Sequence, residues 1–288
     1  MAAVVKWQAP SRARERVLAF GMGGVGKTLA GIQWAEKING DVWIIETDNT
    51  YDEMLEAHPS LVVCEEYQVG SRRRDDEFTD ENGTVHLFRP RKWEDICWAI
   101  KEVWGRAQRS DLIIFDNSTM PWDEVQTWYV TTAYGSAVED FMVEVRQKQI
   151  KTGNAKHTAA EEMFTDWGAI NPQYFENVKK PLQDPPCHLF MTAEQAKIDD
   201  KERDKANKAI FGRHGVKPKG QKSLGHTPRT VLLMMVDNRF DGSAEYKMTT
   251  VKDRERDDVV QMPWSDFVMD YLRPVAGWKP VRVEVEDA

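Results

Sequence analysis

AFGMGGVGKTLAGIQWA, residues 19–35, is the stretch whose reading decides the fold. Gly21-x-x-x-x-Gly26-Lys27-Thr28 matches the pattern G-x-x-x-x-G-K-[ST] in full. VLAF at 17–20 is a strand candidate ahead of it. LAGIQWAEKI at 29–38 is a helix candidate behind it, with Leu29, Ile32, Trp34, Ala35 and Ile38 on a mostly apolar face. Strand, glycine loop and helix in that order form a phosphate cradle. Gly21, Gly23, Gly24 and Gly26 let backbone N–H groups approach an anion. The positive end of the following helix faces the same point. The cradle spans Gly21, Met22, Gly23, Gly24, Val25, Gly26, Lys27, Thr28 and Leu29. Lys27 is placed to reach the outer phosphates, and Thr28 to put its hydroxyl on Mg²⁺.

The other acids expected around such a cradle stand at the ends of apolar runs. DLIIFDNST (111–119) reads as a buried parallel strand ending in Asp116, placed to organise Mg²⁺. DVWIIETDNTYDEM (41–54) ends in Glu46 and Asp48, two residues apart; either can orient or deprotonate an attacking water. PPCHLFMTAEQ (185–195) ends in Thr192, Glu194 and Gln195, where a polar side chain can sense a terminal phosphate.

Between these runs lie helical patterns. Trp93, Ile96, Cys97, Ile100, Val103 and Trp104 share one face of residues 93–104. The alternation predicts an α/β fold with a mostly parallel central sheet flanked by helices. Runs at 230–236 and 245–251 close it with a C-terminal β-hairpin. A charged insertion (65–84) and a helical, aromatic-rich region (120–182) interrupt the pattern. Residues 1–14 read as an N-terminal extension, 15–260 as the main domain, and 261–288 as an amphipathic helix and an acidic tail.

Composition excludes several classes. No apolar run reaches the ~20 residues of a membrane helix. The first residues lack a signal-peptide pattern, so the expected location is the cytoplasm and no membrane partner is expected. Cys64, Cys97 and Cys187 form no CxxC pair and read as reduced core residues. The six histidines show no metal-ligand spacing. Most of the eleven tryptophans, including Trp122, Trp128 and Trp167, read as packing. The net charge is −8, but residues 197–229 hold ten Lys/Arg against four Asp/Glu, a local +6 that leaves −14 elsewhere. Lys205, Lys208, Arg213, Lys217, Lys219 and Lys222 are its nucleic-acid candidates, in a stretch whose glycines and prolines predict a flexible loop. Phe211 is its one stacking candidate.

Taken together, GMGGVGKT, WIIETDN, LIIFDNST, DWGAINPQYFENV, HLFMTAEQ and TTVKDRER resemble the RecA-like P-loop ATPases encoded by phages. The likeness is nearest to the AAA-type phage nucleotide-binding family with its Sak-type single-strand annealing proteins, and covers roughly residues 15–260. The resemblance implies a RecA-like NTPase fold, ATP and Mg²⁺ as cofactors, homo-oligomers, and single-stranded DNA as partner in recombination or annealing. It places Asp48 at the catalytic carboxylate position, where the family usually has Glu. Gln195 falls near the residue that links phosphate sensing to DNA binding, and 197–229 where the DNA loop lies. Lys252 and Arg254 fall where a neighbouring subunit's basic pair reaches the terminal phosphate. Met22 stands where ParA/MinD-type ATPases carry a lysine, which disfavours that switch. A packaging or translocating motor, and a nucleotide-dependent protein-interaction module, are the alternatives.

Overall fold

A computed structural model describes residues 3–10, 14–67, 84–135, single positions between 137 and 151, 167–198, 205–238, 243–254, 256 and 261–284. Its strands are β1 (Ala3–Gln8), β2 (Arg16–Gly21), β3 (Val42–Glu46), β4 (Val63–Tyr67), β5 (Val85–Phe88) and β6 (Leu112–Asp116). They continue with β7 (His188–Lys197), β8 (Val216–Pro218), β9 (Thr230–Asn238), β10 (Ala244–Asp253), β11 (Gln261–Pro263) and β12 (Lys279–Glu284). The helices used below are α1 (Lys27–Lys37), α2 (Tyr51–Ala57), α3 (Trp93–Arg106), α4 (Met120–Tyr134), α5 (Trp167–Tyr174) and α6 (Lys205–Phe211).

The protein is a mixed α/β fold with a mostly parallel central sheet and flanking helices, as the alternation of runs predicts. Among the described residues the sheet runs β11-β10-β9-β2-β7-β6-β3-β5-β4, with β8 attached to β7. Every pairing from β9 to β4 is parallel; β10 and β11 extend one edge antiparallel. The apolar runs follow from burial on both faces. Val17, Ala19, Ile44, Ile114, Phe190 and Leu232 face one core, shared with α1. Their neighbours Leu18, Phe20, Ile45, Ile113, Phe115 and Leu189 face the other, shared with α3 and α5. In α3, Trp93, Ile96, Ile100 and Val103 are buried at helical spacing, and Trp98 packs on Phe88 and Tyr67.

The strand order sets the site. β7 lies between β2, which ends at the glycine loop, and β6, which ends at Asp116. Parallel strands end on one edge of the sheet, so the loop, Asp116 and the end of β7 converge there.

Several boundaries differ from the sequence reading. The N-terminal extension and the supposed acidic tail pair with each other: β1 and β12 form an antiparallel ribbon from Ala3↔Glu284 to Gln8↔Lys279. Such a pairing across most of the chain leaves no local signal. Of the C-terminal helix expected at 263–272, only 267–272 is helical, ending in a π-helical turn at Val268–Leu272, and Pro263 instead closes the short strand β11. That segment docks through Phe267, whose ring lies 5.9 Å from Trp34 and 5.5 Å from Phe190. The basic stretch is folded rather than loose over 205–229: α6, β8 and short 3₁₀ turns pack beside the end of β7. Phe211 is fully buried against Phe20, ring centres 5.9 Å apart, and is not available for base stacking. Residues 65–67 of the charged insertion belong to β4, and 68–83 lie outside the described residues. The hairpin tip at 239–242 lies outside them too, although β9 and β10 pair as expected.

Candidate functional site

The loop after β2 is shaped by two close approaches. A Cβ on Gly21 would stand 2.3 Å from the carbonyl oxygen of Met234 in β9, which no backbone neighbour can vacate. Gly26 has φ +84°, in the left-handed region that side chains resist, and a Cβ there would meet the Trp264 indole at 2.7 Å. Gly26 also accepts the first helical hydrogen bond, from Ala30 N–H at 3.0 Å. The loop is therefore wedged between β9 and Trp264, and α1 starts from it with its amides facing the strand ends. Val25 is buried and anchors the loop, Leu29 is half-buried in the first turn of α1, and Met22 is 64% exposed on the rim.

A cavity of about 550 Å³ opens over this loop. It is lined by Gly21 to Gly24, Lys27 and Thr28, by Asp48 and Asp116, and by Glu194, Gln195 and Lys197. Lys27 Nζ donates to the carbonyls of Gly21 (3.1 Å) and Met22 (2.6 Å), curled on the loop that it would serve. Burial lowers its pKa, opposed by the charges of Asp116, Glu194 and Asp48.

Asp116 is the centre of the polar network. Thr28 Oγ1 donates to its Oδ2 at 2.8 Å, Tyr51 Oη to the same oxygen at 3.3 Å, and Thr192 Oγ1 to Oδ1. Burial raises the Asp116 pKa, the Thr192 and Thr28 hydroxyls pull it back, and Asp48 raises it further. A carboxylate held by hydroxyls beside a lysine has the oxygen donors that Mg²⁺ prefers. Among the described residues no group of three or more His, Cys, Asp or Glu is arranged to hold an ion alone. Thr28 and Asp116 thus fit an ion that takes its remaining oxygens from phosphate and water.

The two candidate water-positioning acids separate. Asp48 lines the cavity, held by Thr47 Oγ1 at 3.3 Å and Asn117 Nδ2 at 3.4 Å. Glu46 is fully buried elsewhere: its Oε1 accepts the Tyr51 N–H at 3.0 Å and its Oε2 lies 3.7 Å from Arg89 Nε. Burial raises the Glu46 pKa, opposed by that amide and Arg89. A residue two positions further along the chain clears the strand and reaches the cavity, whereas Glu46 still sits inside the sheet. Tyr51 is the member that the sequence did not expose; its link to Asp116 spans 65 residues and exists only after β3 and β6 pair.

The end of β7 joins the cavity to the basic stretch. Glu194 Oε2 is paired with Lys219 Nζ at 2.6 Å, and the Lys219 N–H donates to the Glu194 carbonyl at 2.8 Å. Gln195 is paired with Pro218 in the β7–β8 ladder. Lys205, Lys208, Arg213, Lys219 and Lys222 are exposed, and Lys217 is half-buried.

Lys252 and Arg254 lie at the other end of the sheet, where Lys252 is opposite Val231 at the start of β9. The Lys252 ammonium donates to the carbonyls of Gly225 (3.1 Å), His226 (3.2 Å) and Pro228 (2.8 Å). Burial, then Arg254 and Arg16, pull its pKa to about 8. Its group is committed to its own chain, which corrects the expectation that it reaches a neighbour. Arg254 is exposed and rests one N–H on the His226 carbonyl at 2.9 Å.

No family model matches the chain, and no curated protein matches it. Among solved structures it is similar to an uncharacterized protein from Pyrococcus horikoshii, crystallised with an unknown peptide: 9% identity, TM-score 0.39, covering 95% of this chain and 94% of that one. It is also similar to an ATPase from the type III secretion system of pathogenic bacteria: 10% identity, TM-score 0.30, covering 77% of this chain and 51% of that one. This chain thus matches about half the length of the secretion ATPase. Neither likeness carries a statement about activity. Among the described residues no helix is long and apolar enough to cross a membrane.

Proposed function

We propose that the chain is a RecA-like P-loop ATPase that binds and hydrolyses ATP with Mg²⁺ and acts on single-stranded DNA. The observation that carries this reading is the 2.8 Å hydrogen bond from Thr28, at the head of α1, to Asp116, at the end of β6, with β7 between the two strands. That contact joins the phosphate loop to a metal-organising carboxylate from a separate strand, which is what phosphoryl transfer requires of its scaffold.

Each residue has a defined task in this scheme. Lys27 leaves the loop carbonyls for the outer phosphates, and the loop amides with the head of α1 hold the rest of the anion. Thr28 and Asp116 would hold the metal ion, which when bound would supply charge neutralisation at the phosphates. Tyr51 and Thr192 fix the Asp116 carboxylate. Asp48 orients the water and accepts its proton at a carboxylate oxygen. Arg254 is the exposed cation left to serve a neighbouring subunit's site in a homo-oligomer. The paired Glu194 and Lys219 lie between the cavity and the exposed bases of α6 and its surroundings, which favours nucleic acid on that face.

The test is steady-state ATP hydrolysis by wild type and Lys27→Ala, each with and without single-stranded DNA. Mg²⁺-dependent hydrolysis that Lys27→Ala abolishes, with a rate raised by the strand, is the expected result. Absence of triphosphate binding by the folded protein refutes the ATPase reading. Hydrolysis with no strand binding at low salt refutes the nucleic-acid part.

A further inference from the structure

A second cavity, of about 430 Å³, sits at the far end of the same sheet. His188 lines it at the first position of β7, while Glu194, six residues along that strand, lines the phosphate cavity. At ~3.3 Å per residue the two lie roughly 20 Å apart. The cavity forms where the β1–β12 ribbon meets the N-terminal ends of the parallel strands, so it exists only because the chain termini pair.

Its chemistry is one-sided. Trp7 (8% exposed), Trp278 (2%) and His188 (7%) give it aromatic surface, and Arg14 and Arg109 give it charge. Asn39 adds an amide, and no Asp or Glu is among the described residues that line it. In a chain of net charge −8 this is an unusual patch. Arg14 is anchored by Nη1 on the Pro185 carbonyl at 2.6 Å, with Asp184 at 3.6 Å.

Two buried side chains here carry N–H groups that the fold does not use. The Trp278 Nε1 meets no acceptor among the described residues. His188 Nδ1 accepts the Glu15 N–H at 3.1 Å, which leaves the ring proton on Nε2. Burial, then the nearby Arg14 and Arg109, lower the His188 pKa to about 4, so the ring is a neutral donor at pH 7. A buried donor without a partner, as at Trp278 Nε1, penalises a fold unless something accepts from it.

We propose that this cavity binds a flat ring carrying a carboxylate or phosphate, with the ring against Trp7 and Trp278 and the anion on Arg14, Arg109 and the His188 N–H. The volume lies in the ~300–1,000 Å³ range of small-molecule sites. The same chemistry comes from two sources, a nucleoside monophosphate or an aromatic carboxylate.

Isothermal titration of the full chain, in EDTA, with AMP and separately with indole-3-acetate tests it. At least one probe binds 1:1 with a sub-millimolar Kd, and the one that binds more tightly identifies the anion. The Arg14→Gln/Arg109→Gln variant, altered at exposed positions, melts like wild type and weakens that binding at least tenfold. Lys27→Ala leaves it unchanged, which separates this site from the phosphate loop. No heat from either probe, binding that survives the double arginine variant, or binding lost in Lys27→Ala overturns the proposal.

Discussion

Gly26→Ala is the substitution on which the geometry of the phosphate loop can be judged most directly. The new methyl faces two penalties. At φ +84° an L-residue with a Cβ pays ~1–2 kcal/mol for the left-handed backbone. The methyl also lands 2.7 Å from Trp264 Cζ2, an overpacking that costs ~1–3 kcal/mol. A total of about 3 kcal/mol lowers the melting temperature by about 6–12 °C, taking ~2–4 °C per kcal/mol for a domain of this size. Because the loop must move to relieve the contact, ATP affinity falls at least ~10-fold as well. Thermal melts and titration with a fluorescent ATP analogue read the two effects. Gly23→Ala is the internal control: its Cβ meets nothing within 4 Å and its φ is not positive, so its melting temperature stays near wild type. Trp264→Leu removes the steric part alone, so in a double-mutant cycle it recovers ~1–2 kcal/mol of the Gly26→Ala loss. A Gly26→Ala protein that melts like wild type would falsify this account of the loop. Strict additivity with Trp264→Leu removes the indole from it.

The remaining predictions concern the network and the far edge. Asp116→Asn abolishes Mg²⁺-dependent hydrolysis yet gains stability over wild type as pH rises. Burial raises the folded pKa of Asp116, so its contribution is whole below the ordinary carboxylate value and is lost as pH climbs through the raised one. Urea midpoints of the two proteins compared at pH 4 and pH 7 check the sign; a difference that shifts in favour of wild type as pH rises contradicts it. Lys252→Met loses ~1–3 kcal/mol in urea melts because three carbonyls lose their donor. Arg254→Ala melts like wild type but drops hydrolysis ~10³-fold or more while ATP binding persists; unchanged hydrolysis ends the neighbour role. Alanine at Lys205, Lys208 or Lys222 lowers the slope of log affinity for single-stranded DNA against log salt by ~1 each, and a flat slope in wild type excludes phosphate contacts there.

Residues 17–20, 41–46, 111–116 and 187–192 were legible as strands because burial on both faces demands continuous apolar runs, and such runs survive in one dimension. The glycine loop was legible for a related reason: its glycines, lysine and threonine stand within eight consecutive positions, so their spacing is itself the geometry. The sequence also offered Glu46 and Asp48 as the two candidates for a water-positioning acid. Tertiary structure alone separated the pair, since only the paired sheet shows that Glu46 is enclosed between α2 and Arg89 while Asp48 reaches the cavity. It likewise decided what Tyr51 and Lys252 do, what the basic stretch becomes, and that the two ends of the chain form one ribbon. Those features rest on contacts between segments 19 to 281 residues apart, and no local period or motif encodes a partner at that distance.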